Sequence, residues 1–144
     1  MQRQCIVNIE LKGPLTASPV AALIKKYVTD YGWTYQDFFV SSFNHHELFA
    51  FHQLIPEINT GAILEGIPLF YAAFAEDIGA THAVLCNQTV NKDFVEDAHS
   101  RGLLVFVYTV NDPIDMLFLQ EIGVDGLITN YPDRWNDSLE RALN

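Results

Sequence analysis

Glu10 and Lys12 stand two residues apart in the run CIVNIELKGP, residues 5 to 14. The run alternates like a strand, and a strand sends every second side chain to the same face. Asn8, Glu10 and Lys12 therefore share one face with Ile6, while Val7, Ile9 and Leu11 share the other. A carboxylate and an ammonium aimed the same way can serve in two ways. They can pair with each other as a structural ion pair at an exposed strand end. Alternatively, both can be left free for a group that stands beside them. Hydroxyl and amide groups gather after later apolar runs in the same manner: Ser41, Ser42 and Asn44; Thr109 and Asn111; Thr129 and Asn130.

The remaining reactive residue types offer less. In HHELFAFH, a zinc helix of the form H-E-x-x-H would need histidine at position 50, where Ala50 stands. His45, His46, His52, His82 and His99 read as surface or half-buried residues rather than ligands. Neither Ser41 nor Ser42 has a neighbouring His–Asp pair, so a serine triad is not expected. Cys5 and Cys86 lie in strand-like apolar runs without zinc or redox spacing, and read as buried free thiols.

Strands and helices in strict alternation must position these groups. After the first strand, Ser18 before Pro19 reads as an N-cap and a first-turn proline, and Gly32 closes that helix. Phe38 to Phe43 is a second strand. Asn44 with Glu47 has the form of a capping box, and Pro56 ends the helix it starts. Ala62 to Leu64 is a short third strand, and Pro68 begins the next helix. Ala83 to Cys86 is a fourth strand, followed by a helix that stops at Gly102. Leu103 to Val110 is the strongest strand pattern. Asn111-Asp112-Pro113 caps the next helix, and Gly123 ends it. Leu127 to Thr129 is a last strand, with a final helix from about Asp133.

Six such units with short connections imply parallel strands, whose site lies at the C-terminal strand edge. No Pro/Gly/Ser-rich linker divides residues 1–144, so one domain is expected. Periodicity leaves open a doubly wound sheet and a (β/α)8 barrel. The first turn, KGPLTASP, has neither G-x-G-x-x-G nor a P-loop.

With 49% hydrophobic and 18% charged residues, the 144-residue chain is globular. A net charge of −10 argues against nucleic acid or anionic membrane as a general partner. An anionic substrate would then need a metal or local cations. The apolar stretch from Gly61 to Ala75 contains Glu65 and Pro68 and is too short to span a bilayer. No signal peptide pattern opens the chain, so a soluble cytoplasmic protein is expected.

NIELKGP, VSSFN, RGLLVFVYTVNDP and GVDGLITNYPD occur in that order. Together they resemble the later part of a glycerophosphodiester phosphodiesterase, from Asn8 to about Trp135. The resemblance implies an α/β fold, an incomplete (β/α)8 barrel of about six βα units, with the first two strands missing. It implies a metal-dependent hydrolase acting on glycerophosphodiesters to give glycerol 3-phosphate and an alcohol. Glu10 matches the family's metal-binding glutamate, for calcium or magnesium. Lys12 would meet the substrate phosphate. Tyr108 stands where the family commonly has tryptophan in W-T-V-N, and would wall the glycerol side. Ser41, Ser42 and Phe43 match a strand end that serves as pocket wall, and Asn130 stands where aspartate is frequent.

The family's His-Arg-Gly motif, Glu-x-Asp pair and His-Asp motif are absent from these 144 residues. The resemblance therefore assigns no catalytic residue in this chain, leaves the cation site incomplete, and implies inactivity in isolation. Open edges at the strands of Glu10 and Leu127 imply a homo-oligomer or assembly with a complementary fragment. Two other readings are a non-catalytic partial-barrel interaction module and an unrelated doubly wound binder of small ligands.

Overall fold

The structure, a computed structural model, describes residues 5–135. The strands are β1 (Val7–Glu10), β2 (Phe38–Ser42), β3 (Asn59–Leu64), β4 (His82–Cys86), β5 (Leu104–Tyr108) and β6 (Gly126–Leu127). Between them lie α1 (Ala17–Tyr31), α2 (His45–Leu54), α3 (Ala73–Asp77), α4 (Lys92–Ser100) and α5 (Pro113–Glu121). Residues 133–135 are helical, as expected for the start of a final helix; its continuation lies outside the described residues.

The sheet runs in chain order, β1-β2-β3-β4-β5-β6. β1 pairs with β2, β2 with β3, and β5 with β6, each in parallel. A doubly wound sheet reverses its strand order at a switch point. Sequential order with a helix after each strand is the order of a (β/α)8 barrel. Topology therefore decides between the two architectures that periodicity left open.

The chain forms two compact units: residues 5–63 with 74–82, and residues 64–73 with 83–135, among those described. In the first, every residue of β2 is buried, as expected for a strand covered on both faces. Its core includes Ile24 from α1, Leu48 and Phe51 from α2, and Val40 from β2. In the second, the strands bury Val84, Val105 and Val107, and the helices bury Phe94, Val95, Met116 and Leu119.

Several sequence expectations shift here for physical reasons. The N-cap of α1 is Thr16, not Ser18, and Pro19 sits inside the first turn. The Asn44 side chain caps α2 by accepting from the His46 and Glu47 N–H groups. The reciprocal half of the expected capping box does not form, because Glu47 reaches to α1 instead. β3 begins three residues earlier than its apolar run, since Asn59 and Thr60 pair with β2 at Phe39 and Val40. Pro68 opens a turn rather than a helix, and α3 starts only at Ala73.

Cys5 is exposed and Cys86 half-buried, both free, so neither is the buried thiol expected. Cys5 precedes the paired part of β1, whose residues are themselves largely exposed. His82 is buried, not superficial: its Nδ1 lies 2.7 Å from Thr81 Oγ1 and its ring meets Phe39 edge-on. His45 is half-buried, with Nε2 2.9 Å from the Ile63 carbonyl and its ring stacked on Phe74.

Candidate functional site

β1 ends at Glu10, and the chain leaves it through Leu11 and Lys12. Leu11 anchors the exit. Its side chain is buried, and its N–H donates to the Ser41 carbonyl at 2.8 Å. Its carbonyl accepts from the Ser42 hydroxyl at 2.6 Å, and that hydroxyl accepts from the Asn44 N–H at 2.9 Å. One buried serine oxygen thus ties the exits of β1 and β2 together. Ser41 adds a hydroxyl bond to Asn8 Oδ1 at 3.1 Å.

These bonds fix backbone and leave the charged side chains in water. Glu10 and Lys12 side chains are 34% and 79% exposed, with Nζ 4.0 Å from Oε2. A pair so long and so exposed contributes about 0–1 kcal/mol. Structural pairing is therefore a weak account of these two residues. With Leu11, Phe43 and Asn44 they line an open depression of about 480 Å³.

The following loop is held by a residue that sequence reasoning assigned elsewhere. Glu47 Oε1 accepts the Leu15 N–H at 2.7 Å, and Oε2 accepts the Ala17 N–H at 3.0 Å. Thr16 makes no side-chain cap, so the Glu47 carboxylate satisfies donors that the helix start leaves open. Those backbone donors, Ala17 foremost and then Leu15, hold the Glu47 carboxyl below its ordinary value. Leu15 itself sits at φ 60, a left-handed conformation that a leucine keeps only when its surroundings hold it. Local sequence carries no sign of this bond, whose partners lie 30 and 32 residues apart.

In the second unit, Tyr108 ends β5. It is half-buried, and its hydroxyl donates to the Leu64 carbonyl at 3.3 Å. Its own carbonyl accepts the Asn87 N–H at 2.8 Å. Asn111 Oδ1 accepts from the Asn130 N–H at 3.0 Å and from the Thr129 hydroxyl at 3.3 Å. Arg134 Nη1 donates to the Asn111 carbonyl at 2.8 Å, with its guanidinium 3.8 Å over the Tyr131 ring. Asn87 and Arg134 were not singled out from the sequence, because neither belongs to a periodic pattern. Asn130 contributes its backbone to this set. Glu10 and Lys12 are thus brought together in the first unit, while Tyr108 belongs to the strand ends of the second.

Among the described residues, no three of His, Cys, Asp and Glu gather as a metal site. Glu10 brings a single carboxylate, whereas a calcium ion takes six to eight oxygen ligands. The described residues do not by themselves fit a calcium or magnesium site. No helix among them is long and apolar enough to cross a membrane.

The sequence model of the glycerophosphoryl diester phosphodiesterase family matches residues 7–134. The chain belongs to this family. A glycerophosphodiester phosphodiesterase of Bacillus subtilis strain 168 is 37% identical over 99 residues, covering 65% of this chain and 33% of the relative. One from Bacillus altitudinis is 28% identical over 131 residues, covering 90% and 54%. Among solved structures, an Oleispira antarctica phosphodiesterase in complex with the product sn-glycerol-3-phosphate superposes with a TM-score of 0.81. It is 26% identical, over 94% of this chain and 55% of that one. The chain thus spans about a third to a half of the length of these relatives. Its fold is that of an incomplete (β/α)8 barrel.

Proposed function

We propose that this chain carries the E-x-K part of a glycerophosphodiester phosphodiesterase site. Glu10 contributes one carboxylate to a divalent cation whose remaining ligands lie outside the described residues. Lys12 meets the phosphoryl oxygens, and Tyr108 walls the glycerol side. The observation that supports this most is the end of β1: backbone fixed by Ser41 and Ser42, carboxylate and ammonium left in water. A purely structural pair would be shorter or better buried. A local cation also answers the charge problem, since a chain of net charge −10 otherwise repels a phosphodiester.

The reaction is hydrolysis of the diester to glycerol 3-phosphate and an alcohol. Proton transfer falls, in the family the chain resembles, to histidines of motifs absent from these 144 residues. His45 and His82 already serve packing and hydrogen bonding in the first unit. The chain alone is therefore inactive, and activity requires a complementary segment bearing those histidines and the Glu-x-Asp pair. An apolar depression in the first unit supports this reading. Beside β1, an apolar cavity of about 330 Å³ is lined by Val7, Ile9, Leu23, Tyr27, Trp33 and Phe38.

The test is release of glycerol 3-phosphate from glycerophosphocholine with calcium or magnesium. The chain alone should give none above buffer. Adding a fragment of a relative with the His-Arg-Gly and Glu-x-Asp strands should restore release, and Glu10→Gln should abolish it again. Turnover by the chain alone, indifferent to Glu10→Gln, would overturn the assignment.

A further inference from the structure

Lys12 leaves β1 on a segment that is fixed at both of its ends. On the near side, the Leu11 carbonyl accepts from the Ser42 hydroxyl, which accepts in turn from the Asn44 N–H. The Asn44 side chain accepts from the Glu47 N–H and so seats Glu47 in the first turn of α2. The Glu47 carboxylate then returns to the far side, taking the Leu15 N–H on one oxygen and the Ala17 N–H on the other. The circuit closes within the first unit, and Lys12, Gly13 and Pro14 bridge its two ends.

Capping of α1 does not account for this arrangement. A helix start leaves its own first N–H groups open, and of the two donors on Glu47 only Ala17 belongs to α1. Leu15 lies in the loop, yet it makes the shorter bond, 2.7 Å against 3.0 Å. The loop is braced further by the Thr16 hydroxyl, which donates to the Gly13 carbonyl at 2.8 Å. Leu15 keeps φ 60 with 84% of its surface exposed, so burial does not explain its conformation. Strain of this kind persists where the surroundings over-determine the backbone, and it gathers at working sites. What the constraint fixes here is the backbone at Lys12, which shares a depression with Glu10.

An ammonium on a four-carbon stem loses rotamer freedom when it meets an anion. Fixing its backbone beforehand removes part of that ordering cost. We propose that Glu47 is a positioning residue for Lys12. By holding the Leu15 end of the loop, it sets the direction from which the ammonium reaches the phosphoryl oxygens. The role rests on the phosphate-binding reading of Lys12, and Glu47 itself touches neither cation nor substrate.

Two measurements separate this role from helix capping. In backbone nitrogen relaxation of the 144-residue chain, the Lys12 and Gly13 amides should have order parameters of about 0.85. Glu47→Gln should lower them below about 0.6 and leave β2 unchanged. The variant keeps the side-chain shape but turns an amide donor toward one of the two N–H groups. Glu47→Asp, with its charge kept and its reach shortened, should loosen the same amides to a smaller degree. In the mixture with the complementary fragment, Glu47→Gln should raise KM for glycerophosphocholine about three- to tenfold, with kcat within about twofold. In a Lys12→Gln background it should add no further change, because its effect passes through Lys12. Unchanged order parameters at Lys12 in both Glu47 variants overturn the proposal, as does a rise in KM that persists in the Lys12→Gln background. Absence of turnover in the wild-type mixture counts against the E-x-K reading and not against the loop; the relaxation result then decides whether Glu47 positions Lys12.

Discussion

The exits of β1 and β5 are assembled differently. At β1 the candidate residues are charged and solvated, and the hydrogen bonds around them go to backbone and to two serines. At β5 the candidates are neutral, and their own side chains make the bonds: Tyr108 to the Leu64 carbonyl, Asn111 to Thr129 and Asn130. The first arrangement separates support from chemistry, so Glu10 and Lys12 can act on a ligand without unfolding their frame. The second merges the two, so a substitution made to change recognition also loosens the strand ends.

The largest effect expected from this contrast lies at a residue with no proposed chemistry. Ser42→Ala leaves the buried Leu11 carbonyl and the Asn44 N–H unpaired, and should cost about 1–3 kcal/mol in denaturant unfolding. Asn111→Ala removes bonds that are nearer solvent, and should cost about 0.5–1.5 kcal/mol by the same measurement. If the Asn111 variant proves the more damaging, the β5 end is the tighter frame and the contrast sharpens in its favour.

Acid should reach both units through two carboxylates with lowered pKa values. Glu47 is held down by the Ala17 and Leu15 N–H groups, and Asp97 foremost by its hydrogen bond from Arg101. A carboxyl depressed in the folded state contributes stability that is fully present above its unfolded pKa, about 4.3 for Glu and about 3.9 for Asp. That contribution is lost as pH falls through the folded value. Melting temperature should therefore drop below about pH 4.5. Glu47→Gln with Asp97→Asn should flatten that acid limb, and an unchanged limb would show that other carboxylates govern it.

The smallest effect on stability should come from the pair on which function rests. Glu10→Gln and Lys12→Gln should each change unfolding by less than about 0.5 kcal/mol. A loss several times larger would mean that their ion pair is structural, and would remove the main support for their proposed roles.

Much of this arrangement was legible in the chain itself. Alternation of period exposed all six strands, and the order of NIELKGP, VSSFN, VYTVNDP and GVDGLITN carried the family. Errors fell where a long-range partner overrode a local rule. Ser18 before Pro19 looked like a helix start, yet Glu47 caps that helix from another, which moves the boundary to Thr16. Asn59 and Thr60 have no apolar pattern, yet β2 recruits them into β3. Asn87 and Arg134 entered the strand-end network through contacts spanning 21 and 23 residues, which no short window can register.

The amino-acid sequence by itself determined which chemistry is at hand: a carboxylate and an ammonium on one strand face, an aromatic four strands along, and no histidine in a catalytic motif. Alternating side chains make that assignment a matter of counting, since residues two apart must share a face. Only the tertiary structure decided how each group is held. Whether Glu10 is locked in a pair or left in water depends on distances and solvent, and whether Ser42 reaches chemistry or backbone depends on which strand lies beside it. Those facts arise from contacts between segments distant in the chain, where hydrogen-bond geometry and burial are settled together.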